Sequence, residues 1–209
     1  MKVTAVRTSR GILEQIVRTL GHQYWIGDRE LLGVTRILES ANITDFSAPW
    51  FTEWHLRRGQ LVHEMVALDV TGALDEDTVG ADLSGFLVGF RKFRAEVGGE
   101  VEFSEEIVAE DTIGIAGTLD LIIRHPDDHP LRRRLYDVKP GKSAATAIQT
   151  AAYARMARAL YDRPVSFTRA GLILPGDGNY SLDPFTNAGD EHVFLAAARV
   201  AHWRKANAE

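Results

Sequence analysis

Asp120, Asp137 and Lys139 are the residues whose types and spacing point to chemistry. They stand in Gly117-Thr118-Leu119-Asp120 and Tyr136-Asp137-Val138-Lys139, two segments that read as neighbouring strands. Side chains alternate across a strand, so Asp137 and Lys139 share one face while Val138 points away, and a carboxylate and an ammonium are held side by side. Over 113–124, Ile113, Ile115, Leu119, Leu121 and Ile123 form one apolar face and Asp120 lies on the other. If the two strands pair as a hairpin, Asp120 and Asp137 converge beside the lysine. Magnesium and manganese prefer such hard oxygen ligands. A cation held there acidifies its water and neutralises phosphate charge, while Lys139 stabilises the charge that develops in the transition state. The constellation suits phosphodiester hydrolysis. An isolated Asp-x-Lys is also a common surface ion pair, so the weight rests on its surroundings.

The elements that must position these groups follow from periodicity. Ile12, Leu13, Ile16, Val17 and Leu20 match one face of a helix before Gly21, and 31–38 adds a short helix. After Pro49, a longer helix is predicted over 54–70 with His63 on it, and another over 83–97 carrying Phe86, Phe90 and Phe93, ended by Gly98-Gly99. The period then changes to alternation, giving strands over 101–109, 113–124 and 134–139, with a turn-rich stretch at 125–130. An alanine-rich helix over 144–160, a strand over 165–174 and a turn at 175–179 follow. The last helix places Val193, Phe194, Ala197, Val200 and Ala201 on one face. The order predicts an α/β core (about 99–209) behind a helical N-terminal part (about 1–98), within a single domain spanning 1–209.

The 209 residues, 45% of them hydrophobic, suffice for one well-packed core. A formal charge of -5 and a pI near 5.8 argue against nucleic-acid binding by global charge. Such binding then needs basic residues gathered around an acidic, metal-holding centre. The absence of cysteine excludes disulfides, thiolate zinc sites and cysteine-ligated iron–sulfur clusters, and suits a reducing cytoplasm. The first residues lack the apolar core and cleavage site of a signal peptide, and no run reaches membrane-spanning length, so a soluble protein without membrane partners is expected. No Walker loop is present, so any motor must come from another chain.

Gln149 and Tyr153 lie four apart on a predicted helix, hence on one face, where amide and phenol are placed to contact a phosphate or base or to orient Lys139. His63 follows Gly59 at helical spacing; a lone histidine on such a stripe is more often a packed core residue than a ligand. Taken together, Arg58-Gly59-x-x-x-His63, Ala116-Gly117-Thr118-Leu119-Asp120, Asp137-Val138-Lys139-Pro140-Gly141 and Gln149-x-x-x-Tyr153 occur in the order and approximate spacing of the RecB-like branch of the PD-(D/E)xK nuclease superfamily. Gly33-Val34-Thr35-Arg36-Ile37-Leu38 is similar to its "SVT-x-IL" opening. The resemblance covers about 31–160.

That resemblance implies a restriction-endonuclease-like core, a central mixed β-sheet flanked by helices. It implies a DNA nuclease dependent on Mg2+ or Mn2+, an exonuclease of recombination, repair or phage replication in a bacterial or phage-infected cytoplasm, with a helicase or recombinase as partner. It makes His63, Asp120 and Asp137 metal ligands with the Val138 carbonyl, Lys139 the catalytic lysine, and Gln149 and Tyr153 the helix motif; Glu105 is the candidate additional acid, with Glu106 as an alternative register. Pro140 departs from the threonine common in "DxKTG", which removes a hydroxyl contact, and the lack of cysteine rules out the cluster of the iron–sulfur relatives. Arg57, Arg58, Arg133, Arg134, Lys142 and Arg155, with Arg91, Lys92, Arg94 and Arg158, are candidates to hold the DNA backbone. Trp25, Trp50 and Trp54 are candidates to stack on unpaired bases. The competing readings are a structure-selective or nicking endonuclease, an RNA-cleaving enzyme, and a non-cleaving nucleic-acid-binding module of the same fold.

Overall fold

The computed structural model describes residues 2–7, 13–19, 23–44 and 52–207. Among them, nine strands join one mixed sheet and five α-helices cover it. An antiparallel run opens the chain: β1 (Lys2–Arg7), β2 (Leu13–Arg18), β3 (Tyr24–Ile26) and β4 (Arg29–Gly33) pair in succession. Helices α1 (Val34–Ser40), α2 (Glu53–Thr71) and α3 (Ala81–Val97) follow. Then come β5 (Glu100–Glu110), β6 (Ile115–Arg124), β7 (Arg132–Lys139), α4 (Ala144–Ala157), β8 (Ser166–Ile173), β9 (Ser181–Phe185) and α5 (Gly189–Ala206). β5, β6 and β7 form an antiparallel meander, and α4 is the crossover that brings β8 parallel to β7.

Two apolar layers hold the sheet. On one side α1, α4 and α5 bury Ile37, Leu38, Met156 and Phe194 against Leu32, Val108, Ile115, Leu119, Ile122 and Leu135. On the other, α2 and α3 bury Val62, Met65, Val66, Phe86, Phe90 and Phe93 against Leu121, Ile123, Tyr136, Val138 and Leu172. Strand β6 thus has apolar neighbours on both sides, unlike the one-sided strand expected from its alternation, and Ile113 falls in the turn before it. A central strand in a covered sheet reads as a nearly continuous apolar run, which is why alternation misassigned its faces. No helix among the described residues is long and apolar enough to cross a membrane.

The helical expectation for the N-terminal part holds only from Val34 onward. Leu13, Ile16 and Val17 lie in β2, and 31–38 divides into the end of β4 and the start of α1; Ile12 and Leu20 lie outside the described residues. The β-branched residues of these strands, Val3, Thr4, Val6, Ile16 and Val17, favour extended backbone. Packing decides the matter: Ile16, fully buried, joins Tyr24, Leu31, Ile107, Ala109 and Ala116 in a third apolar cluster. In α5, Val193 and Val200 are exposed and the buried stripe is Phe194, Ala197, Ala198 and Ala201. β9 had no counterpart in the sequence reading; its Pro184 cannot donate to a ladder, and the strand tolerates it at the sheet's edge.

Candidate metal centre

One edge of β6 is taken along its length by β5, but the other is shared. β4 pairs with its start, at Leu32↔Ile115 and Gly33↔Ala116, and β7 with its end, at Leu121↔Tyr136 through Ile123↔Arg134. Between them, Gly117 to Asp120 face a fork. Asp120 and Asp137 stand one step beyond the last β6–β7 pair, so the expected juxtaposition of the two carboxylates follows from register. The separating strands are bridged by a side chain: the Val138 N–H donates to Asp120 Oδ2 at 2.6 Å. That is the contact Val138 makes with Asp120, through its N–H.

α2 delivers His63 to the same point. Its Nδ1 lies 3.1 Å from Asp120 Oδ1 and 3.7 Å from Glu105 Oε1. Glu105 sits inside β5 with φ +49°, a left-handed conformation rare for a residue with a side chain and costly by about 1–3 kcal/mol. β5 also shifts register between Val101 and Phe103, and the irregular backbone at Glu105 occurs opposite Asp120. One ligand atom from each of His63, Glu105 and Asp120 lies within 4.8 Å of the others, the one such cluster of three among the described residues. One imidazole nitrogen and two carboxylates form a donor set that fits a divalent cation. Asp137, expected as a ligand, stands outside this set of three and beside Lys139, whose Nζ is 2.7 Å from Oδ2. Neither Asp137 oxygen has an aligned hydrogen bond although both are buried, which leaves lone pairs for a cation or its water.

The charges define the protonation states. Burial works against the His63 imidazolium, but Asp120, then Glu105, outweigh it and push the group up to about 10. Burial also opposes ionisation of Asp120, yet His63, Lys139 and the Val138 N–H hold it below the usual carboxylate range. Asp137 moves the other way: burial raises it, Asp120 adds to the rise, and Lys139 offsets only part. Lys139 is pulled down by burial and up by Asp137 and Asp120, with a net rise that keeps it an ammonium at neutral pH.

Gln149 Nε2 donates to the Tyr153 hydroxyl at 3.1 Å, so the helix motif is a bonded pair. Tyr153 is 4% exposed, and a Cβ on Gly117 would come within 2.6 Å of its ring. The glycine before Asp120 is therefore required by the ring packed beneath it, and Tyr153 supports the β6 segment from inside rather than presenting a surface to a base. Two residues escaped the sequence reading, Arg18 and Tyr24. Arg18 Nη1 donates to Thr118 Oγ1 at 3.0 Å and lies 3.6 Å from Glu105 Oε2, and the Tyr24 hydroxyl is 3.0 Å from the same Thr118 oxygen. Glu105 is thus held between His63 and Arg18, a cation brought in by β2.

Several arginines expected to hold DNA are committed elsewhere. Arg133 is 8% exposed, bonds Glu102 at 2.5 Å and the Pro130 and Arg132 carbonyls, and lies over the Tyr161 ring. Arg134 forks onto both oxygens of Asp128, and Arg155 onto Glu110 with a further bond to Glu191. A guanidinium cancelled by a carboxylate at contact distance offers little field to a phosphate, so Arg133 and Arg134 tie β7 to β5 and to the turn before it. Arg91 likewise pairs with Asp69 and Glu76. Arg57 remains exposed, Arg58 half-buried over Trp54, and Lys142 exposed at 3.4 Å from Asp183. Trp54 is exposed and Trp25 half-buried, while Trp50 lies outside the described residues.

No family model and no curated protein matches this chain. Among solved structures it is similar to a provisionally named exonuclease from Eubacterium rectale, with 12% identity, a TM-score of 0.48 and coverage of 86% of this chain and 83% of that one. It is also similar to an alkaline exonuclease from Laribacter hongkongensis, with 16% identity, a TM-score of 0.31 and coverage of 85% and 93%.

Proposed function

We propose that this chain is a metal-dependent nuclease that hydrolyses phosphodiester bonds in DNA, acting as an exonuclease within one domain spanning 1–209. The observation that carries the reading is the convergence, at the fork between β4 and β7, of His63, Glu105 and Asp120 with the Asp137–Lys139 pair alongside. In this reading His63, Glu105 and Asp120 hold Mg2+ or Mn2+, and Asp137 supplies a further oxygen. When bound, the cation supplies an acidified water and neutralises charge on the phosphate. Asp137 holds the Lys139 ammonium at 2.7 Å, and the 23% of the lysine side chain that stays exposed lets it reach a phosphate oxygen. There Lys139 positions the nucleophile and stabilises the charge that develops as the phosphorus is attacked. A non-cleaving binding module has no chemical need for this set. A cytoplasmic site of action and a helicase or recombinase partner belong to the same proposal.

The test is cleavage of linear, circular, single-stranded and duplex DNA. Activity is expected with magnesium or manganese and none in chelator, with linear DNA consumed and covalently closed circles left intact. Calcium accepts looser geometry and more ligands, so it is expected to support DNA binding with little turnover. Cleavage that survives chelator in a contaminant-free preparation would refute the mechanism, and cleavage of closed circles would replace the exonuclease by an endonuclease.

Arg18 gives a second check. Arg18→Ala removes the cation that flanks Glu105, and a misplaced ligand lowers turnover by about tenfold to a hundredfold. Arg18→Lys keeps the charge without the fork and should recover part of the rate. Equal activity of all three proteins in a single-turnover assay would remove Arg18 from the site.

A further inference from the structure

Arg18 and Tyr24 are direct partners across β2 and β3, so their side chains are directed to the same face of the sheet. Both reach one atom. Arg18 Nη1 donates to Thr118 Oγ1 at 3.0 Å, and the Tyr24 hydroxyl lies 3.0 Å from the same oxygen. A guanidinium only donates, so Thr118 keeps one lone pair and its own proton to meet the phenol. The Tyr24 ring is 3% exposed and packs with Ile16, Leu31 and Ile107, which fixes its hydroxyl in place. Burial raises the phenol above its ordinary value, so it holds its proton.

The same Nη1 stands 3.6 Å from Glu105 Oε2, short of contact. Charge-assisted N–H···O bonds close to about 2.7–2.9 Å. Elsewhere in the chain they do so: Arg134 meets Asp128 at 2.7 Å and Arg155 meets Glu191 at 2.8 Å. At the longer distance the guanidinium still attracts the carboxylate and helps to orient it, since Coulomb energy falls only as the inverse of distance. It does not take a lone pair as a hydrogen bond would. At a metal centre that difference counts, because a lone pair given to a guanidinium is withdrawn from a cation, and a positive charge pressed against a ligand repels the metal.

We propose that Tyr24 is a positioning residue of the metal centre: through Thr118 Oγ1 its hydroxyl holds the Arg18 guanidinium off Glu105, which leaves that carboxylate oriented and open to the cation. The inference rests on the metal-dependent reading of the site and adds to it the part played by the β2–β3 pair. Tyr24 acts through Thr118 and Arg18 rather than on the cation. Without the phenol, the Thr118 hydroxyl is free to turn, and attraction draws Arg18 onto Glu105.

The experiment measures manganese affinity by titration calorimetry, with single-turnover cleavage across manganese concentrations beside it. Wild type is compared with Tyr24→Phe, Thr118→Val, Thr118→Ser and Arg18→Ala, and with Tyr24→Phe and Thr118→Val each combined with Arg18→Ala. Tyr24→Phe keeps the ring and its packing and removes only the hydroxyl. It is expected to weaken manganese binding about tenfold, as loss of a group that orients a metal ligand does, and to regain most of its cleavage rate once manganese saturates the site. Thr118→Val should show the same loss, and Thr118→Ser, which keeps the hydroxyl, should restore most of it. In the Arg18→Ala background Tyr24→Phe should change manganese affinity no further, because the guanidinium that it restrains is gone. Wild-type or tighter manganese binding by Tyr24→Phe would overturn the inference. So would an equal further loss in the Arg18→Ala background, which would assign the hydroxyl to packing; either result leaves the metal centre standing. Where Tyr24→Phe does not fold, Thr118→Val decides in its place by the same two comparisons. If wild type itself binds no manganese, the metal-dependent reading fails and this inference with it.

Discussion

Asp120→Ala is expected to lower cleavage about a thousandfold or more, and to abolish the rise in thermal midpoint that manganese gives wild type. Asp120 holds three things at once: it faces His63 at 3.1 Å, belongs to the cluster with Glu105, and accepts the Val138 N–H where β6 and β7 part. Losing the carboxylate removes charge from the cation site and leaves a buried N–H unsatisfied, at about 1–3 kcal/mol. Asp120→Asn separates these roles, because its amide oxygen still accepts from Val138 while the charge is gone. The asparagine variant should therefore melt close to wild type, and above the alanine variant, yet be as inactive and as unresponsive to manganese. Wild-type turnover in either variant would remove Asp120 from the chemistry. A full manganese shift in Asp120→Asn would place the cation elsewhere.

How far the sequence reaches is visible residue by residue. Asp137 and Lys139 were legible because their relation is local: alternation in one strand puts them on one face, and their charged groups meet at 2.7 Å. Asp120 needed only the hairpin register. His63 was different, since helical spacing alone favours a packed core histidine; its placement within 3.1 Å of Asp120 depends on how α2 packs on the sheet. Glu105 was preferred to Glu106 with the register left open, because alternation assumes regular backbone and the left-handed φ at Glu105 breaks that assumption. Arg18 and Tyr24 were missed with their strands. The apolar spacing of 12–20 fits a helix face, and only pairing with distant chain and burial of Ile16 select the strand. Arg133 failed in the opposite sense: a run of basic residues announces charge but not its partner, and Glu102 neutralises it from another strand.

Lys139→Ala should slow single-turnover cleavage about a hundredfold to a thousandfold while leaving DNA affinity in calcium nearly unchanged. The ammonium gains interaction energy as negative charge gathers on the phosphate oxygens, so its contribution is larger in the transition state than in the bound complex. The same substitution is expected to lower stability. Asp137, with 1% of its side chain exposed and no aligned hydrogen bond, keeps Lys139 as its nearest counter-charge. Removing one partner of a buried pair costs more than removing both, because the remaining charge has neither water nor a mate. Lys139→Ala should therefore melt well below wild type, by roughly 5 °C or more if about 2 kcal/mol is lost. Adding Asp137→Asn to it removes the stranded charge and should restore most of that loss without restoring any cleavage. Melting curves and single-turnover rates for wild type, both single variants and the double variant close a cycle that separates the two roles. If Lys139→Ala loses DNA affinity and rate in equal proportion, and saturating protein restores cleavage, the lysine is a binding residue. If the double variant melts no higher than Lys139→Ala, the stability of this corner does not rest on the pairing of Asp137, and the lysine's part in the fold must be sought in its packing.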